Sequence, residues 1–230
     1  MRNILLFTVL LFPLLTFSQD DIKKESFQDK NRLFRGYAVA GINFTQIDGD
    51  NSGGYNNFGA NFGGGVFVTY TKKFSYSLEI TYRMKGAKSN AFKSPTTQGT
   101  FTYAMDYIDI PLMFNYHDFK IAIFQAGFSY SQLVRGKYQG NPIPTSIDDV
   151  YKWNIDLVVG VTFLIKDHWG LNFKYNYSLL NNLKKYDTNG DIAPRGGLIG
   201  AQGAKNSVRV LGGGTNWFHN VLTFRVMYII

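Results

Sequence analysis

The chain has 230 residues with 24 glycines, 6 prolines and no cysteine, and carries 24 Lys and Arg against 16 Asp and Glu. Its length suits one domain, and the lack of cysteine excludes a disulfide scaffold and any thiolate site. Aromatic residues make up 17% and charged residues only 17%, so the chain is too apolar to stay disordered and must bury that surface in protein or in lipid.

Residues 1–18 open with Arg2 and Asn3, continue through an apolar run from Ile4 to Leu15 and end on Thr16, Phe17 and Ser18. A positive start, an apolar core of about 12 residues and small residues before the cut describe a secretory signal peptide. The run is shorter than the roughly 20 apolar residues of a spanning helix, and Gln19, Asp20 and Asp21 stop it. Residues 19–32 are polar with mixed charge and no period, which predicts a short lead-in. Residues 33–230 follow as a single barrel.

Beyond residue 33 the dominant signal is period two. In Phe74 to Lys85 one face is Phe74, Tyr76, Leu78, Ile80, Tyr82 and Met84, and the other is Ser75, Ser77, Glu79, Thr81, Arg83 and Lys85. Complete alternation of this kind predicts a strand with one face against something apolar. Tyr151 to Ile165, Trp169 to Ser178 and Leu222 to Ile230 repeat it. Weaker candidates are Leu33 to Phe44, Gly59 to Tyr70, Thr102 to Tyr116 and Phe119 to Val134, giving eight strands. Pro111 falls inside the fourth and predicts a bulge or an unpaired position.

The predicted connections alternate in length. Thr71 to Lys73, His117 to Asp118 and Lys166 to His168 are short; Thr45 to Phe58, Gly86 to Thr100, Arg135 to Asp149 and Leu180 to Gly214 are long. Short periplasmic turns, long extracellular loops and an apolar outer face are the pattern of a transmembrane barrel. The fold class expected is therefore all-β: an eight-stranded antiparallel up-and-down transmembrane β-barrel in the bacterial outer membrane. The competing reading is a soluble lipocalin-like barrel with the apolar face turned inward. Two aromatic girdles are expected, with Tyr70, Phe74, Tyr76, Tyr116, Phe119, Trp169 and Tyr228 below and Tyr103, Tyr151, Trp153, Tyr177 and Trp217 above.

An eight-stranded barrel is just wide enough for side chains to fill it. Glu79, Arg83, Asp109, Asp156, Lys174 and Arg225 share the polar face, and buried charges persist only when paired, so a closed interior network of these six is expected. Lys88, Lys93, Arg135, Lys137, Lys184 and Lys185 map to the outward loops or their junctions, where they suit the phosphates of lipopolysaccharide. A pI near 9.5 raises nucleic acid as a partner, but an exported barrel does not meet it. Asp48 and Asp50, and Asp187 and Asp191, are weak loop candidates for calcium; the first pair opens like an EF-hand, but position twelve is Gly59 where the bidentate Glu belongs. His117 and His168 fall in the short turns, and His219 has no serine at a reachable spacing in its own strand for acyl chemistry, so no catalytic residues and no cofactor are expected.

Three stretches carry a family resemblance. GYAVAGINF (36–44), YRMKGAK (82–88) and YIDIPLMFNY (107–116) resemble the PorT-like outer-membrane β-barrel proteins of Bacteroidota, also called porin family proteins, over 33–230. The resemblance implies an eight-stranded barrel in the outer membrane, and one branch of that family serves type IX secretion and gliding. VLTFRVMYII at 221–230 resembles a barrel-assembly signal, with Ile230 where Phe is usual. The expected function is a non-enzymatic structural or interaction component of the cell envelope, with service to a surface secretion or assembly complex as its finer form. Its partners are outer-membrane lipid, lipopolysaccharide and other envelope proteins. The alternatives are a narrow channel or small-molecule transporter, and a lipid A-modifying enzyme.

Overall fold

The computed structural model describes residues 33–48, 54–88, 101–118, 121–140, 149–166, 168–182, 184 and 217–230. The signal peptide and the lead-in lie outside them, as do Asp50, Lys93, Lys185, Asp187 and Asp191. Eight strands, β1 (Phe34–Asp48), β2 (Asn57–Thr69), β3 (Phe74–Lys88), β4 (Phe101–Asp118), β5 (Ala122–Gly140), β6 (Trp153–Lys166), β7 (Trp169–Ser178) and β8 (Phe218–Ile229), form a closed antiparallel barrel in sequence order. β1 and β8 meet along twelve residue pairs, from Tyr37↔Ile229 to Asp48↔Phe218.

The register fixes the shape. Stepping across paired neighbours from Arg35 through Phe67, Ser77, Met113, Gly127, Val158, Asn176 and Val221 returns to β1 at Thr45, ten residues further on. Ten residues are ~33 Å along the strands against ~38 Å across eight of them, which sets a tilt of about 41° and a backbone diameter of about 16 Å. At that tilt the apolar face of β3 from Phe74 to Met84 covers ~25 Å of height, the depth of a lipid-facing band.

That face points outward. Along β3 exposed and buried residues alternate; Leu78, Ile80, Leu112, Phe128 and Leu157 are exposed, while Ser75, Ser77, Glu79, Thr81 and Arg83 are fully buried. An apolar exterior around a polar interior is the inverse of a soluble barrel, so the lipocalin-like reading is overturned.

Pro111 pairs with Ser129 of β5 without a register change. Toward β3 the ladder is interrupted between Leu78↔Leu112 and Thr81↔Asp109, with two residues on each strand in the gap. On its β3 side the proline is thus an unpaired position and not a bulge, as expected for a residue with no N–H to donate. The bulges lie elsewhere, at Val134, where the β4–β5 register shifts opposite Asp106 and Tyr107, and at Ile165 in β6.

Several boundaries differ from expectation. His117 and Asp118 belong to β4, and Lys166 ends β6, so the turns follow them. β5 continues to Gly140, which places Arg135 and Lys137 in a strand and not in a loop; Lys88 is the last residue of β3, and Asp48 the last of β1. Tyr103 and Trp217 are 6% and 7% exposed and pack edge to face inside the barrel at 5.0 Å, so they are not part of the upper girdle. Trp153, Trp169, Tyr76 and Tyr228 do face outward.

Candidate functional site

The barrel interior is the candidate site, and it is layered. At the short-turn end Tyr37, Val39, Phe67, Met227 and Ile229 form an apolar cluster. Beside it runs a chain of neutral side chains. Asn115 donates to Ser75, Gln125 donates to Asn115 (2.9 Å), and Asn172 donates to Gln125 (2.8 Å) and to Thr162 (2.6 Å). At the long-loop end Ile47, Ala87, Tyr103, Met105, Tyr107, Val150 and Trp217 form a second apolar cluster. Between the two ends lie the charges.

The first charged group is centred on Glu79 of β3. Its carboxylate accepts from Lys174 Nζ of β7 at 2.7 Å, from Arg225 Nη2 of β8 at 2.9 Å to both oxygens, and from the Tyr37 hydroxyl of β1 at 2.9 Å. These contacts cross the lumen, since β3 and β7 are on opposite walls. Arg225 also donates from Nε to Asn172 Oδ1 (2.6 Å) and from Nη1 to Asn61 Oδ1 (3.3 Å). Glycine makes room for this convergence. A Cβ on Gly65 would sit 2.7 Å from the ring and hydroxyl of Tyr37, and one on Gly160 would sit 2.8 Å from the Lys174 stem. Tyr37 therefore lies across β2 at Gly65 to reach Glu79, which pairs with Gly65 in the next strand.

The second charged group is centred on Lys85. Its ammonium lies 3.2 Å from Asp109 Oδ2 and 2.9 Å from Asp156 Oδ2, donates to Ser131 Oγ at 3.1 Å, and sits 4.8 Å from the centre of the Tyr107 ring. Asp156 also accepts from Ser131 (3.0 Å) and Ser178 (3.2 Å). Arg83 Nε is 3.2 Å from Asp109 Oδ2. The two groups together bridge every strand of the barrel.

All six sequence-derived interior residues, Glu79, Arg83, Asp109, Asp156, Lys174 and Arg225, lie in this region and are buried. Glu79, Lys174 and Arg225 form one group; Arg83 and Asp109 join the other, where Lys85 links them to Asp156. Lys85 and Tyr37 were not anticipated as members. Lys85 carried the signal, because it shares parity with Glu79 and Arg83. Tyr37 did not, because it lies two strands from Glu79 and reaches it only over Gly65 in the strand between them.

The outward residues are placed more sparsely. Lys88, Arg135 and Lys137 are exposed at the outer ends of β3 and β5, and Arg135 pairs with Asp106 at 2.5 Å. The backbone of Lys184 donates to Asp149 O (2.7 Å). Tyr55, in the first outward connection, donates to Asn220 of β8 at 2.5 Å; partial burial pushes its phenol above the ordinary value. Asp48 closes β1, and among the described residues no group of three or more His, Asp or Glu is set to hold a metal ion.

His219 is buried, and its ring Nε2 meets the Tyr107 hydroxyl at 3.2 Å. Ser178 and Asp156 are near it, but the Ser178 hydroxyl donates to Asp156 and accepts from the His219 backbone N–H (3.1 Å), not from the ring. A hydrolytic triad needs the ring bonded to the serine. The three side chains instead form part of the packed interior.

The family model described as outer membrane protein beta-barrel domain matches residues 17–184; β8, which closes the barrel, lies beyond the matched segment. Three solved structures illustrate the likeness. Ail, the attachment invasion locus protein of Yersinia pestis, solved with the heparin analogue sucrose octasulfate, is 7% identical over 85% of this chain and 99% of that chain, with a TM-score of 0.42. Neisserial surface protein A is 12% identical over 86% and 97%, with a TM-score of 0.43. OprG from Pseudomonas aeruginosa is 10% identical over 86% and 94%, with a TM-score of 0.39. No curated protein matches the chain.

Proposed function

Because the chain belongs to the outer-membrane β-barrel family and resides in the bacterial outer membrane, we propose that it is a closed, non-conducting and non-enzymatic barrel that serves as a structural or interaction component of the envelope. The observation that carries this reading is the lumen itself. Lys174 and Arg225 meet Glu79 across the barrel axis, and apolar clusters stand toward both ends. A hydrated path would need the charged groups separated and both clusters displaced, and buried pairs resist separation by several kcal/mol.

Interaction is assigned to the outward ends. The exposed cations Lys88, Arg135 and Lys137 suit the phosphates of lipopolysaccharide, and Lys93, Lys184 and Lys185 extend that assignment into the connecting segments. Binding to other envelope proteins, including service to a secretion or assembly complex of the PorT-like kind, is the finer form of this reading. Planar-bilayer recording on purified protein tests it. No stable unitary conductance is expected, and reproducible steps of porin size would replace this reading with a channel. Replacing Lys88, Arg135 and Lys137 together by Gln is expected to weaken lipopolysaccharide binding and reduce its salt dependence, without change in fold.

A further inference from the structure

The described interior carries one more cation than anion. Arg83, Lys85, Lys174 and Arg225 face Glu79, Asp109 and Asp156, and all seven side chains are essentially sealed from solvent. Asp106 does not restore the balance, because it is taken by Arg135 at the rim. A surplus charge in a medium of low dielectric must be countered.

The surplus is localised at Arg83. Glu79 answers Lys174 and Arg225, and Asp156 answers Lys85 through a hydrogen bond. Asp109 is left to be shared between Lys85 and Arg83, each at 3.2 Å. Its contact with Arg83 lies at the Nε edge and lacks hydrogen-bond geometry, so Nε, Nη1 and Nη2 all have no hydrogen-bond partner among the described residues. Two further donors in the same patch are in the same condition. Asn61, directly opposite Arg83 in the β2–β3 ladder, spends its oxygen on Arg225 and leaves Nδ2 unpartnered; Thr81, two residues before Arg83 on the same face, leaves its hydroxyl unpartnered. Asp109 Oδ1 and Oδ2 are also without a hydrogen-bond partner and stand on the Nε side of Arg83, so it is the Nη donors, with Asn61 Nδ2 and the Thr81 hydroxyl, that call for a further acceptor.

We propose that the barrel interior is a binding site for one small monovalent inorganic anion of the chloride class, held by the Nη edge of Arg83 with Asn61 Nδ2 and the Thr81 hydroxyl. A single negative charge there neutralises the interior and gives the orphaned donors a common acceptor. Asp109 stands on the Nε side and is opposed by two cations, which offset its repulsion of the bound ion.

The test uses the mature chain refolded in detergent micelles, with sodium chloride, bromide and gluconate compared at matched ionic strength. Chloride and bromide are expected to raise the thermal unfolding midpoint to a plateau, whereas gluconate, too large for the filled lumen, does not. The chloride NMR line is expected to broaden with folded protein and to sharpen on unfolding. Arg83→Met should lose both effects, and Lys73→Met, which removes an exposed turn cation, should lose neither. Equal midpoints in all three salts, or undiminished line broadening in Arg83→Met, would overturn the site. If Arg83→Met does not fold, Arg83→Lys, which keeps the charge with fewer donors, is expected to weaken both effects, and the wild-type line width decides alone whether an anion binds.

Discussion

Replacing Glu79 by Met removes the single anion that four hydrogen bonds converge on, and leaves Lys174 and Arg225 buried with their charges unanswered. Breaking a buried pair by deleting one partner costs ~3–5 kcal/mol. The individual bonds to a charged acceptor, at ~1.5–3 kcal/mol each, would sum to more, but members of one network do not add, so ~4 kcal/mol is the working figure. With a urea slope of ~2–3 kcal/mol per M for a barrel of this size, that loss lowers the midpoint by ~1.3–2 M. The assay is urea unfolding and refolding in micelles, followed by tryptophan fluorescence, with gel mobility of unboiled samples as the readout of closure. A second protein, with Glu79, Lys174 and Arg225 all changed to Met, removes the charges as a set. It is expected to recover most of the loss, since an apolar replacement of a complete buried group is often neutral or stabilising. A Glu79→Met midpoint within about 0.3 M of wild type, or a triple variant as unstable as the single, would refute the claim that the pairing, and not the volume of the side chain, is what matters.

Other expectations are narrower. Gly65→Ala forces a methyl to 2.6 Å from Leu78 O and 2.7 Å from the Tyr37 ring, and overpacking of this kind costs ~1–3 kcal/mol; combining it with Tyr37→Ala should not restore stability, because the carbonyl remains. Tyr37→Phe deletes one bond to a carboxylate and should lower stability by ~1.5–3 kcal/mol with no change in gel mobility of the folded form. Leu112→Arg places a cation on the lipid face, where Leu112 is 59% exposed; it should cost ~2–4 kcal/mol in folding into vesicles, whereas Tyr70→Arg, near the interface, should cost ~0–1 kcal/mol.

What was legible in the sequence follows from where lipid imposes a pattern. Within the bilayer a strand must alternate, and Phe74 to Lys85 and Trp169 to Ser178 were readable residue by residue. Beyond the lipid no face is required to be apolar, so the outer ends of β1, β3, β5 and β8 carried no period and were read short. In β5 the bulge at Val134 adds to this. Val134 and Arg135 are both exposed, the alternation breaks, and Arg135 and Lys137 read as loop. Tyr103 and Trp217 show a different failure. Their height near the strand ends suggested a girdle, yet Tyr103 shares odd parity with Asp109 of β4, and Trp217, just before β8, shares it with Arg225, and parity decides the side. The six interior charges could be chosen by parity, but their partners could not. That Lys174 reaches Glu79, while Lys85 and not Arg83 joins Asp109 to Asp156, depends on a ten-residue shear and on glycine gaps that exist only once the barrel is closed.

The seam between β1 and β8 has a consequence for how such a chain is made. A ribosome delivers β1 first and β8 last, so the earliest strand waits for its neighbour through the whole of synthesis and export. β8 brings two things at once: the twelve pairs that seal the wall, and Arg225, the two-oxygen partner of Glu79. A product truncated before β8 therefore carries two bare edges and a half-answered carboxylate facing its middle. Neither defect can be repaired by the strands already present. A chain lacking β8 is therefore expected to be less stable than one that carries it, with faster proteolysis of the truncated protein in micelles as the check.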